Sequence, residues 1–520
     1  MTFHSNARAT ARAVPPLKLG RLAALIALGG MAAHAGAQTI PGPANCAALV
    51  GMQVESGTVV AAERFAQGAT IAGTANLFGG DATTTVSTNF CRVKLQLKPT
   101  PSSLINVEAW LPETWNGKMF GYGGGGQNGG LGQSAALMNA SAKNGYASAT
   151  SDVGHATNSS AEWAYNQPEK IIDWGHRANH LVAVTAKQLM NAFYQRPVQR
   201  AYFQGCSGGG REAMMQVSRY PADYDGVIAG APAMDWGPLM SMHIWTEQIR
   251  QSVPWLGTKF SAIKAAVMKA CDKNDGVQDG VIENPKACKF DPVVLQCTIF
   301  DTNSCLNKSE VAAMRKLYEG PKLTTGELLI PGYSVGTETS WGISHFLNML
   351  GGGPEYYKWM VYNDPSWTTA GFYLDVDVVN SRARVEPNVN SSNPDIGAFI
   401  QRGGKLLMHH GWSDSVIPSE NTVRYYDKLR SRFPSIANNA RLFMVPGAEH
   451  CAIGFDPAPV LEKWVEQGQA PERLINTVTT STLFGTTTTT HPLCAWPKVA
   501  KYNGTGSTTD AANFTCADPQ

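Results

Sequence analysis

The sequence predicts an α/β fold with a mostly parallel sheet. Short β-prone runs alternate with helix-forming runs between residues 91 and 232, and two further β-prone runs follow at 405–409 and 441–446. This alternation is typical of parallel strands connected by helices. The chain has 520 residues, of which 43% are hydrophobic and 16% are charged, and is therefore long enough for a large globular domain with an insertion.

The first predicted strands show alternating apolar and polar residues. The runs at 91–97 and 105–110 alternate in this way, which predicts strands with one buried face. The run at 118–122 predicts another strand, and it ends in four consecutive glycines. Further strands are predicted at 146–152 and 223–232, and a long amphipathic helix is predicted at 173–194.

The first 37 residues have the pattern of a secretory signal peptide. Basic residues precede the apolar run 22–28, namely Arg8, Arg12, Lys18 and Arg21. Ala35, Gly36 and Ala37 offer small residues for cleavage, and the apolar run is too short to span a bilayer permanently. Cleavage would leave 38 basic and 40 acidic residues. The sequence shows no basic patch of the kind that would indicate nucleic-acid binding. We therefore expect a secreted or periplasmic protein, with an uncleaved anchor helix as the alternative.

Ser207 lies where a β-prone run meets a helix-forming run. Residues 205–209 read Gly-Cys-Ser-Gly-Gly and satisfy the G-x-S-x-G pattern of a nucleophile elbow. The glycines allow the backbone to pass close to the strand and the helix without a Cβ atom. Ser207 would then stand at a helix N-terminus, where unpaired amides can stabilise an oxyanion. The alternative is a glycine-rich turn whose serine has no catalytic role.

Cysteines are the direct neighbours of both Ser207 and His450. Cys206 precedes the serine, and Cys451, 245 residues later, follows the histidine. A disulfide between them would hold their Cα atoms roughly 4.4–6.8 Å apart and bring the serine and the histidine into one neighbourhood. All ten cysteines follow residue 37, and an even number in an exported chain predicts a disulfide framework whose connectivity the spacing alone does not fix.

Cys206-Ser207, Asp414 and His450-Cys451 together resemble the tannase and feruloyl esterase family of α/β-hydrolases, which includes feruloyl esterase B, tannase and mono(2-hydroxyethyl) terephthalate hydrolase. The resemblance runs from about residue 40 to the C-terminus. It implies five disulfides, Cys46–Cys91, Cys206–Cys451, Cys271–Cys288, Cys297–Cys305 and Cys494–Cys516.

The expected domain organisation is an α/β-hydrolase fold with a large inserted lid domain. The strand and helix alternation breaks off after residue 235 and resumes at about residue 396, and α/β-hydrolases accept insertions at this place in the chain. We therefore expect a signal peptide at 1–37, a catalytic domain formed by 38–235 and 396–520, and a lid at 236–395. The lid is rich in aromatic residues, which suit a flat phenolic acyl group, although most of them are expected in the lid core.

The predicted catalytic triad is Ser207, Asp414 and His450. Asp414 follows a predicted strand, where an α/β-hydrolase holds its acid, and the chain order Ser, Asp, His is the one this fold uses. The alternative for Asp414 is a turn residue without a catalytic role. His409 and His410 compete with His450 for the role of base, but they precede the acid and have no cysteine neighbour.

The predicted oxyanion hole consists of two backbone amides. In α/β-hydrolases one comes from the residue after the nucleophile, here Gly208, and the other from the loop after an early strand. That loop contains Gly124–Gly126, among which Gly125 is favoured. The alternative is a flexible surface loop.

The lid contains a predicted calcium site in the segment 271–281. Aspartates on a glycine-kinked loop offer hard oxygen donors, which suit calcium better than zinc or copper. The pattern differs from an EF-hand, because glycine occupies loop position five and Pro285 prevents a second helix. The resemblance implies a Ca²⁺ that stiffens the lid and is bound by the side chains of Asp272, Asp275 and Asp279 and the carbonyls of Val277 and Val281. The alternative is an Asp/Gly-rich turn that binds no metal.

The resemblance implies a serine carboxylesterase acting on esters of phenolic acids. A feruloyl esterase is favoured, with a tannase or a terephthalate monoester hydrolase as alternatives. The expected partner is a small aromatic ester, free or attached to a plant polymer, with no nucleic acid and no membrane after signal cleavage. Two alternatives from other classes are a secreted binding protein on a hydrolase scaffold and a peptidase with the same triad.

Overall fold

The computed structural model describes residues 45–71, 83–155, 160–300, 302–342, 352–482 and 485–519. The predicted signal peptide, residues 1–37, lies outside the described residues. In chain order the described strands are β1 (Gln53–Val54), β2 (Gly57–Phe65), β3 (Thr70–Ile71), β4 (Thr84–Thr85), β5 (Phe90–Leu97), β6 (Ile105–Pro112), β7 (Lys118–Tyr122), β8 (Ala147–Ser151), β9 (Arg200–Cys206), β10 (Gly226–Gly230), β11 (Lys405–Gly411), β12 (Ala440–Val445), β13 (Arg473–Thr482), β14 (Gly485–Cys494), β15 (Val499–Tyr502) and β16 (Phe514–Ala517).

The α-helices lie mainly between these strands and in the segment before β11. In chain order they are α1 (Ala135–Lys143), α2 (Pro168–Ile172), α3 (Ala178–Tyr194), α4 (Gly208–Arg219), α5 (Trp236–Ser252), α6 (Phe260–Cys271), α7 (Lys308–Glu319), α8 (Gly352–Glu355), α9 (Leu374–Arg384), α10 (Glu386–Val389), α11 (Gly397–Gln401), α12 (Ser419–Arg432) and α13 (Pro457–Gln467). Two short π-helical segments, Asp173–Arg177 and Tyr356–Val361, also occur.

A ten-stranded sheet with the strand order β1-β2-β5-β6-β8-β7-β9-β10-β11-β12 forms the centre of the protein. The six strands from β8 to β12 in this order pair in parallel, and the pairings from β1 to β8 are antiparallel. The predicted mostly parallel sheet is therefore confirmed. All the carboxyl ends of the parallel strands meet at one edge, where Cys206 of β9 pairs with Gly230 of β10 and Gly230 pairs with His409 of β11.

The parallel strands are buried on both faces. All residues of β10 and β12 are buried, and their sequences, apolar except for Arg441, are typical of parallel strands covered by helices. Successive residues face opposite layers, because side chains alternate along a strand. Phe203 of β9 thus lies in one apolar core, and its neighbour Tyr202 lies in the other.

Five disulfides link the described residues: Cys46–Cys91, Cys206–Cys451, Cys271–Cys288, Cys297–Cys305 and Cys494–Cys516. These are the pairs that the resemblance implies. Within the described parts of the chain, none of the helices combines the length and the apolar character needed to cross a bilayer.

The described parts of the segment 236–395 contain helices and irregular loops but none of the named strands, and the two ends of the segment lie together. Ser391 N donates a hydrogen bond of 2.8 Å to Met234 O, and the Ser392 hydroxyl donates to the Asp235 carboxylate. Gly237 N donates to Asn390 Oδ1 at 3.1 Å. The segment therefore leaves the sheet and returns to it at one place, and the assignment of this segment as a lid stays a prediction.

Aromatic side chains form much of the interior of this inserted segment. The ring of Tyr357 lies 5.7 Å from that of Trp367 and 5.1 Å from that of Phe372. Tyr357 and Phe372 are buried, whereas Tyr373 is exposed. Stacked and edge-to-face pairs of this kind stabilise a core, so these buried rings serve the packing of the insertion.

Candidate active site

The backbone of Ser207 forms a sharp turn between β9 and α4. Ser207 has φ 64° and ψ −123°, a conformation that non-glycine residues adopt at a cost of about 1–3 kcal/mol. Its amide donates to Gly230 O at 3.0 Å, and its carbonyl accepts from Ala233 N at 3.1 Å. These hydrogen bonds to the strand β10 and the loop after it hold the serine in a conformation that the chain would otherwise avoid.

The glycines around Ser207 are required by close backbone contacts. A Cβ atom on Gly205 would lie 2.2 Å from Gly209 O, and one on Gly209 would lie 2.4 Å from Gly124 O. A Cβ on Gly208 would lie 2.3 Å from Gly126 O. Any side chain at these three positions would push apart the strand, the helix and the glycine loop, so the G-x-S-x-G pattern follows from the packing of the turn.

The Cys206–Cys451 disulfide joins the turn at Ser207 to the loop after β12. The two Cα atoms are 6.1 Å apart although 245 residues separate them in the chain. Cys451, like Ser207, has a positive φ, of 58°. The disulfide therefore connects the residue before Ser207 to the residue after His450. Each of the two connected turns contains one residue with a strained backbone, Ser207 in the first and Cys451 in the second.

Asp414 and His450 form a short hydrogen bond. Nδ1 of His450 lies 2.6 Å from Oδ2 of Asp414. The aspartate is fully buried, whereas the histidine side chain is 24% exposed. No described residue is hydrogen-bonded to Nε2 of His450. The imidazole thus has one nitrogen fixed by the carboxylate and the other available for a proton from an incoming group.

The hydroxyl of Ser207 has no hydrogen-bond partner among the described residues. The structure therefore brings Asp414 and His450 into direct contact, and it brings Ser207 near them through the disulfide, without a hydrogen bond between Ser207 and His450. Such a bond between nucleophile and base is commonly long before substrate binds and shortens in the reactive complex.

Asp414 is held ionised by four donors. Its Oδ1 accepts hydrogen bonds from Val416 N at 2.8 Å and Ile417 N at 2.9 Å, and its Oδ2 lies close to both His450 and His410. Burial raises the pKa of Asp414, but the charge of His450 and the hydrogen bonds from His410 and His450 outweigh this effect and leave the pKa well below its ordinary value. A buried carboxylate that stays ionised can orient an imidazole and stabilise its protonated form.

His410 is a second histidine in contact with the Asp414 carboxylate. From the sequence it is expected only as a competing base. Its Nε2 lies 3.0 Å from Asp414 Oδ2, and its Nδ1 lies 2.8 Å from Thr422 Oγ1. The side chain is fully buried. The spacing of four residues from His410 to Asp414 gave no signal for this contact, because a strand and a loop, and not a helix, connect the two residues.

The glycine loop after β7 lies directly against the start of α4. The amide of Gly124 donates to Glu212 Oε2 at 3.0 Å and is therefore not available to an oxyanion. Gly125 forms an isolated antiparallel bridge with Asn128, whose amide donates to Gly125 O at 3.0 Å, and the Gly126 amide has no acceptor among the described residues. This leaves Gly125 and Gly126 as the two candidate donors of the loop, beside Gly208 at the first position of the helix. The favoured choice of Gly125 stays a prediction.

Glu212 lies on α4, and its carboxylate fixes the glycine loop by accepting a hydrogen bond from that loop. Burial raises the pKa of its carboxyl group, and its only backbone donor in the described structure is the Gly124 amide. The residue lies one helical turn after Gly208 and is 2% exposed. A glutamate in a helix usually faces solvent, so the sequence does not indicate a role for Glu212. The local feature that could have indicated one is its position five residues after the serine.

The predicted calcium ligands lie on a loop after α6. Asp272 is buried, and both its carboxylate oxygens accept from Gly280 N, at 3.1 and 3.3 Å. Asp275 accepts from Val277 N at 2.9 Å and Asp279 accepts from Val281 N at 3.0 Å. The donors are all hard oxygens and so match calcium by type. Within the described residues, however, no group of three or more His, Cys, Asp or Glu side chains is arranged to hold a metal ion.

Comparison with known proteins gives one consistent result. Residues 91–517 match the family described as tannase and feruloyl esterase. The chain is 32% identical over 452 residues to a probable feruloyl esterase of Arthroderma benhamiae, covering 79% of this chain and 82% of that protein. It is 31% identical over 487 residues to mono(2-hydroxyethyl) terephthalate hydrolase of Piscinibacter sakaiensis, covering 79% and 81%. The crystal structure of feruloyl esterase B from Aspergillus oryzae matches with a TM-score of 0.82 at 26% identity, over 91% of this chain and all of that one.

Proposed function

The chain belongs to the tannase and feruloyl esterase family of α/β-hydrolases and is a serine carboxylesterase, and from this premise we propose that it hydrolyses esters of phenolic acids with Ser207, His450 and Asp414 as the catalytic triad. One observation carries the assignment of these residues. A serine with a strained backbone at the start of a helix is joined by the Cys206–Cys451 disulfide to a histidine whose Nδ1 lies 2.6 Å from a buried carboxylate.

In the proposed reaction, Nε2 of His450 takes the proton of the Ser207 hydroxyl while the oxygen attacks the ester carbonyl. Asp414 accepts the hydrogen bond from Nδ1–H and stabilises the imidazolium that forms. The imidazolium then gives its proton to the leaving alcohol, which leaves an acyl-enzyme. Water repeats these steps on the acyl group and releases the acid and the free serine.

The developing oxyanion would be bound by the amides of Gly208 and Gly125. The Gly208 amide has no acceptor among the described residues, and a Cβ on Gly208 would lie 2.3 Å from Gly126 O, so the start of α4 lies directly against the glycine loop. Loss of one such donor costs about 3 kcal/mol of transition-state stabilisation in comparable hydrolases. Gly126 is the alternative donor in the loop.

A ferulate ester is the first choice of substrate within this class. Feruloyl esterases are prominent among the similar proteins, and one of them has a closely similar fold. A gallate ester or a terephthalate monoester is the alternative, since the family includes tannases and since mono(2-hydroxyethyl) terephthalate hydrolase is similar at 31% identity. The phenolic acid is attached to a small alcohol or to a plant polymer in this proposal.

The test compares methyl ferulate, methyl gallate and mono(2-hydroxyethyl) terephthalate side by side. We expect the highest kcat/KM for methyl ferulate and a loss of at least roughly 10⁴-fold in kcat in Ser207→Ala. A chromogenic aryl ester should give a burst equal to the enzyme concentration in the wild type and none in the variant. Absence of a burst from folded protein, unchanged in Ser207→Ala, would contradict the proposal and favour a non-catalytic binding protein, and cleavage of a protein substrate would favour a peptidase.

We also propose a structural Ca²⁺ in the inserted segment. The side chains of Asp272, Asp275 and Asp279 and the carbonyls of Val277 and Val281 would hold it. The support is the oxygen-only donor set on one short loop, together with the Cys271–Cys288 disulfide that closes the loop at 5.5 Å between Cα atoms. A bound cation would offset the repulsion between these carboxylates and stiffen the loop, and it would take no part in the ester chemistry.

We further propose that the protein is exported, to the periplasm or the medium, after removal of residues 1–37. The pattern of basic, apolar and small residues in this segment supports cleavage. Five disulfides support an oxidising compartment, because cytosolic thiols are kept reduced.

A further inference from the structure

His410 is a buried imidazole whose two nitrogens both have partners. It belongs to β11, and it lies between Asp414, in the loop that follows this strand, and Thr422 of α12. The residue and Thr422 are both fully buried. His410 therefore connects the sheet, the loop with the triad acid and the helix that follows the loop.

The hydrogen bonds determine which nitrogen of His410 carries the proton. The ionised Asp414 carboxylate can only accept, so His410 must donate from Nε2 across the 3.0 Å contact. In the neutral ring Nδ1 is then an acceptor, and the Thr422 hydroxyl donates to it at 2.8 Å. Thr422 thereby selects the tautomer in which His410 presents an N–H to the acid.

The two oxygens of Asp414 are fully used by their donors. Oδ1 accepts two backbone amides, and Oδ2 accepts His410 and His450. A carboxylate has about four lone-pair sites, so His410 fills the last one. Without it, a buried oxygen would lose one of its two partners, and the carboxylate would be free to turn away from His450.

We propose that His410 is a positioning residue of the triad, which holds Asp414 Oδ2 in place for His450, with Thr422 fixing the tautomer of His410. This proposal rests on the proposed triad. His410 does not touch the substrate in it and transfers no proton; it acts on the reaction only through Asp414.

The titratable groups around the acid are few. His410 and His450 face Asp414, and burial together with the charge of His410 lowers the pKa of His409, the neighbour of His410 on β11. Removal of the His410 donor leaves the carboxylate a stronger acceptor for His450, because hydrogen bonds to a charged group stabilise the charged form. The Asp414–His450 pair would then take up a proton at higher pH.

The test uses three variants with matched changes. His410→Phe removes the donor and keeps a ring, His410→Gln keeps an N–H close to the position of Nε2, and Thr422→Val removes only the hydroxyl that selects the tautomer. We expect kcat/KM for a chromogenic aryl ester to fall roughly 10- to 100-fold in His410→Phe, with the acid limb of its pH profile moved to higher pH. His410→Gln should restore most of the activity and the wild-type profile. Thr422→Val should move the limb in the same direction by a smaller amount.

A second measurement does not depend on activity. In protein labelled with ¹⁵N-histidine, the wild type should show a neutral Nε2–H histidine with a strongly deshielded proton, in addition to the signal from His450. This signal should be absent in His410→Phe, and the His450 signal should move. If His410→Phe does not fold, Thr422→Val takes its place, with a smaller movement of the His450 signal expected, and His410→Gln remains the variant that should resemble the wild type.

Reduced thermal stability with an unchanged pH profile in all three variants would overturn the proposal, and His410 would then be a core histidine. An unchanged His450 signal in folded His410→Phe would overturn it too. If the wild type hydrolyses no ester while the ¹⁵N signals behave as expected, the proposed function fails and the contact of His410 with the acid stands.

Discussion

At the scale of single residues, two buried carboxylates hold parts of the candidate site: Asp414 contacts both His410 and His450, and Glu212 accepts a hydrogen bond from the Gly124 amide. Ser207, Asp414 and His450 could be selected because motif, chain order and cysteine neighbours all point to them. His410 and Glu212 could not, because their roles depend on contacts across the sheet and between a helix and a loop. No local pattern records such contacts, and a buried polar residue looks in the sequence like a surface residue.

Asp414→Asn should destabilise the protein in a pH-dependent way. The pKa of Asp414 is lower in the folded protein than the value of about 3.9 in an unfolded chain, so its ionised form stabilises the fold above this pH. That contribution is lost as the pH falls through the lowered folded-state pKa. We therefore expect a lower Tm than the wild type at pH 7 and a difference that narrows below about pH 4.

Thermal unfolding between pH 3 and pH 7 measures this effect, and Asp152→Asn is the matched comparison. Burial raises the pKa of Asp152. The wild type should therefore gain stability relative to Asp152→Asn as the pH falls, which is the opposite trend. Parallel trends in the two variants would show that the environment of Asp414 does not favour its charge.

Glu212→Ala should impair catalysis through the glycine loop. The Gly124 amide would lose its acceptor at 3.0 Å, and the loop with the candidate oxyanion donors would no longer be fixed to α4. We expect kcat to fall roughly 10- to 100-fold with a smaller change in KM, because the donors act mainly in the transition state. Glu212→Gln keeps an acceptor oxygen and should stay close to the wild type. Equal losses in both variants would indicate a role for the charge of Glu212.

At the scale of elements, the prediction succeeded where pattern and burial agree. β5, β6, β7 and β9 lie where the alternating and β-prone runs place them, within one or two residues. The predicted helix 173–194 begins instead with the π-helical segment Asp173–Arg177, whose Trp174 and Gly175 carbonyls accept hydrogen bonds from the buried Arg211 guanidinium. Local helix propensity does not reveal a hydrogen bond from a guanidinium on another helix. The long hairpin β13–β14 was also not predicted, because its threonine-rich strands lack an apolar alternation.

Removal of the Cys206–Cys451 disulfide should affect catalysis more than removal of any other disulfide. In the chain-entropy description, a loop of 245 residues contributes about 5 kcal/mol to stability. The double variant Cys206→Ser/Cys451→Ser should have a lower Tm and a kcat reduced at least roughly 10²-fold, because the serine and the histidine lose their common anchor.

The control is Cys297→Ser/Cys305→Ser, which opens a loop with a sequence separation of 8. It should lower Tm less and leave kcat within about twofold of the wild type. Kinetics with the aryl ester and thermal unfolding provide both quantities. A Cys206→Ser/Cys451→Ser protein with full activity would show that the disulfide is not needed to align the triad.

Calcium should stabilise the inserted segment without changing the chemistry. We expect Tm to rise by several degrees in millimolar Ca²⁺ relative to EDTA, because a ligand that binds only the folded state stabilises it. The double variant Asp275→Asn/Asp279→Asn should lose this response, whereas Asp291→Asn, an exposed residue of the same segment, should keep it. A Tm that does not respond to Ca²⁺ in the wild type would contradict the proposed site.

At the scale of the whole molecule, the order of the parts could be predicted from the sequence, because the strand and helix alternation stops at the insertion and resumes after it. The packing of the insertion could not be. The hydrogen bonds that join its two ends depend on contacts between residues more than 100 positions apart, such as Met234 and Ser391. One such contact, between the Ser340 hydroxyl and the Glu449 carboxylate, connects the insertion to the residue before His450.

Export should remove residues 1–37 and leave no free thiol. Expressed with its own first residues in a bacterial host, the mature protein should begin at Gln38, and all ten cysteines should be oxidised. N-terminal sequencing and thiol titration without reductant measure these two features. A chain that keeps residues 1–37 and fractionates with membranes would support the anchor helix instead.

The position of the Cys206–Cys451 disulfide has a consequence for proteolysis. Its two cysteines lie on either side of the whole insertion, so a protease that nicks the chain once anywhere between them leaves two fragments covalently joined. On a non-reducing gel the nicked enzyme should migrate as a single species and separate into two only after reduction. An esterase with this disulfide can thus be cut once between residues 206 and 451 while the segments that contain Ser207 and His450 stay covalently joined.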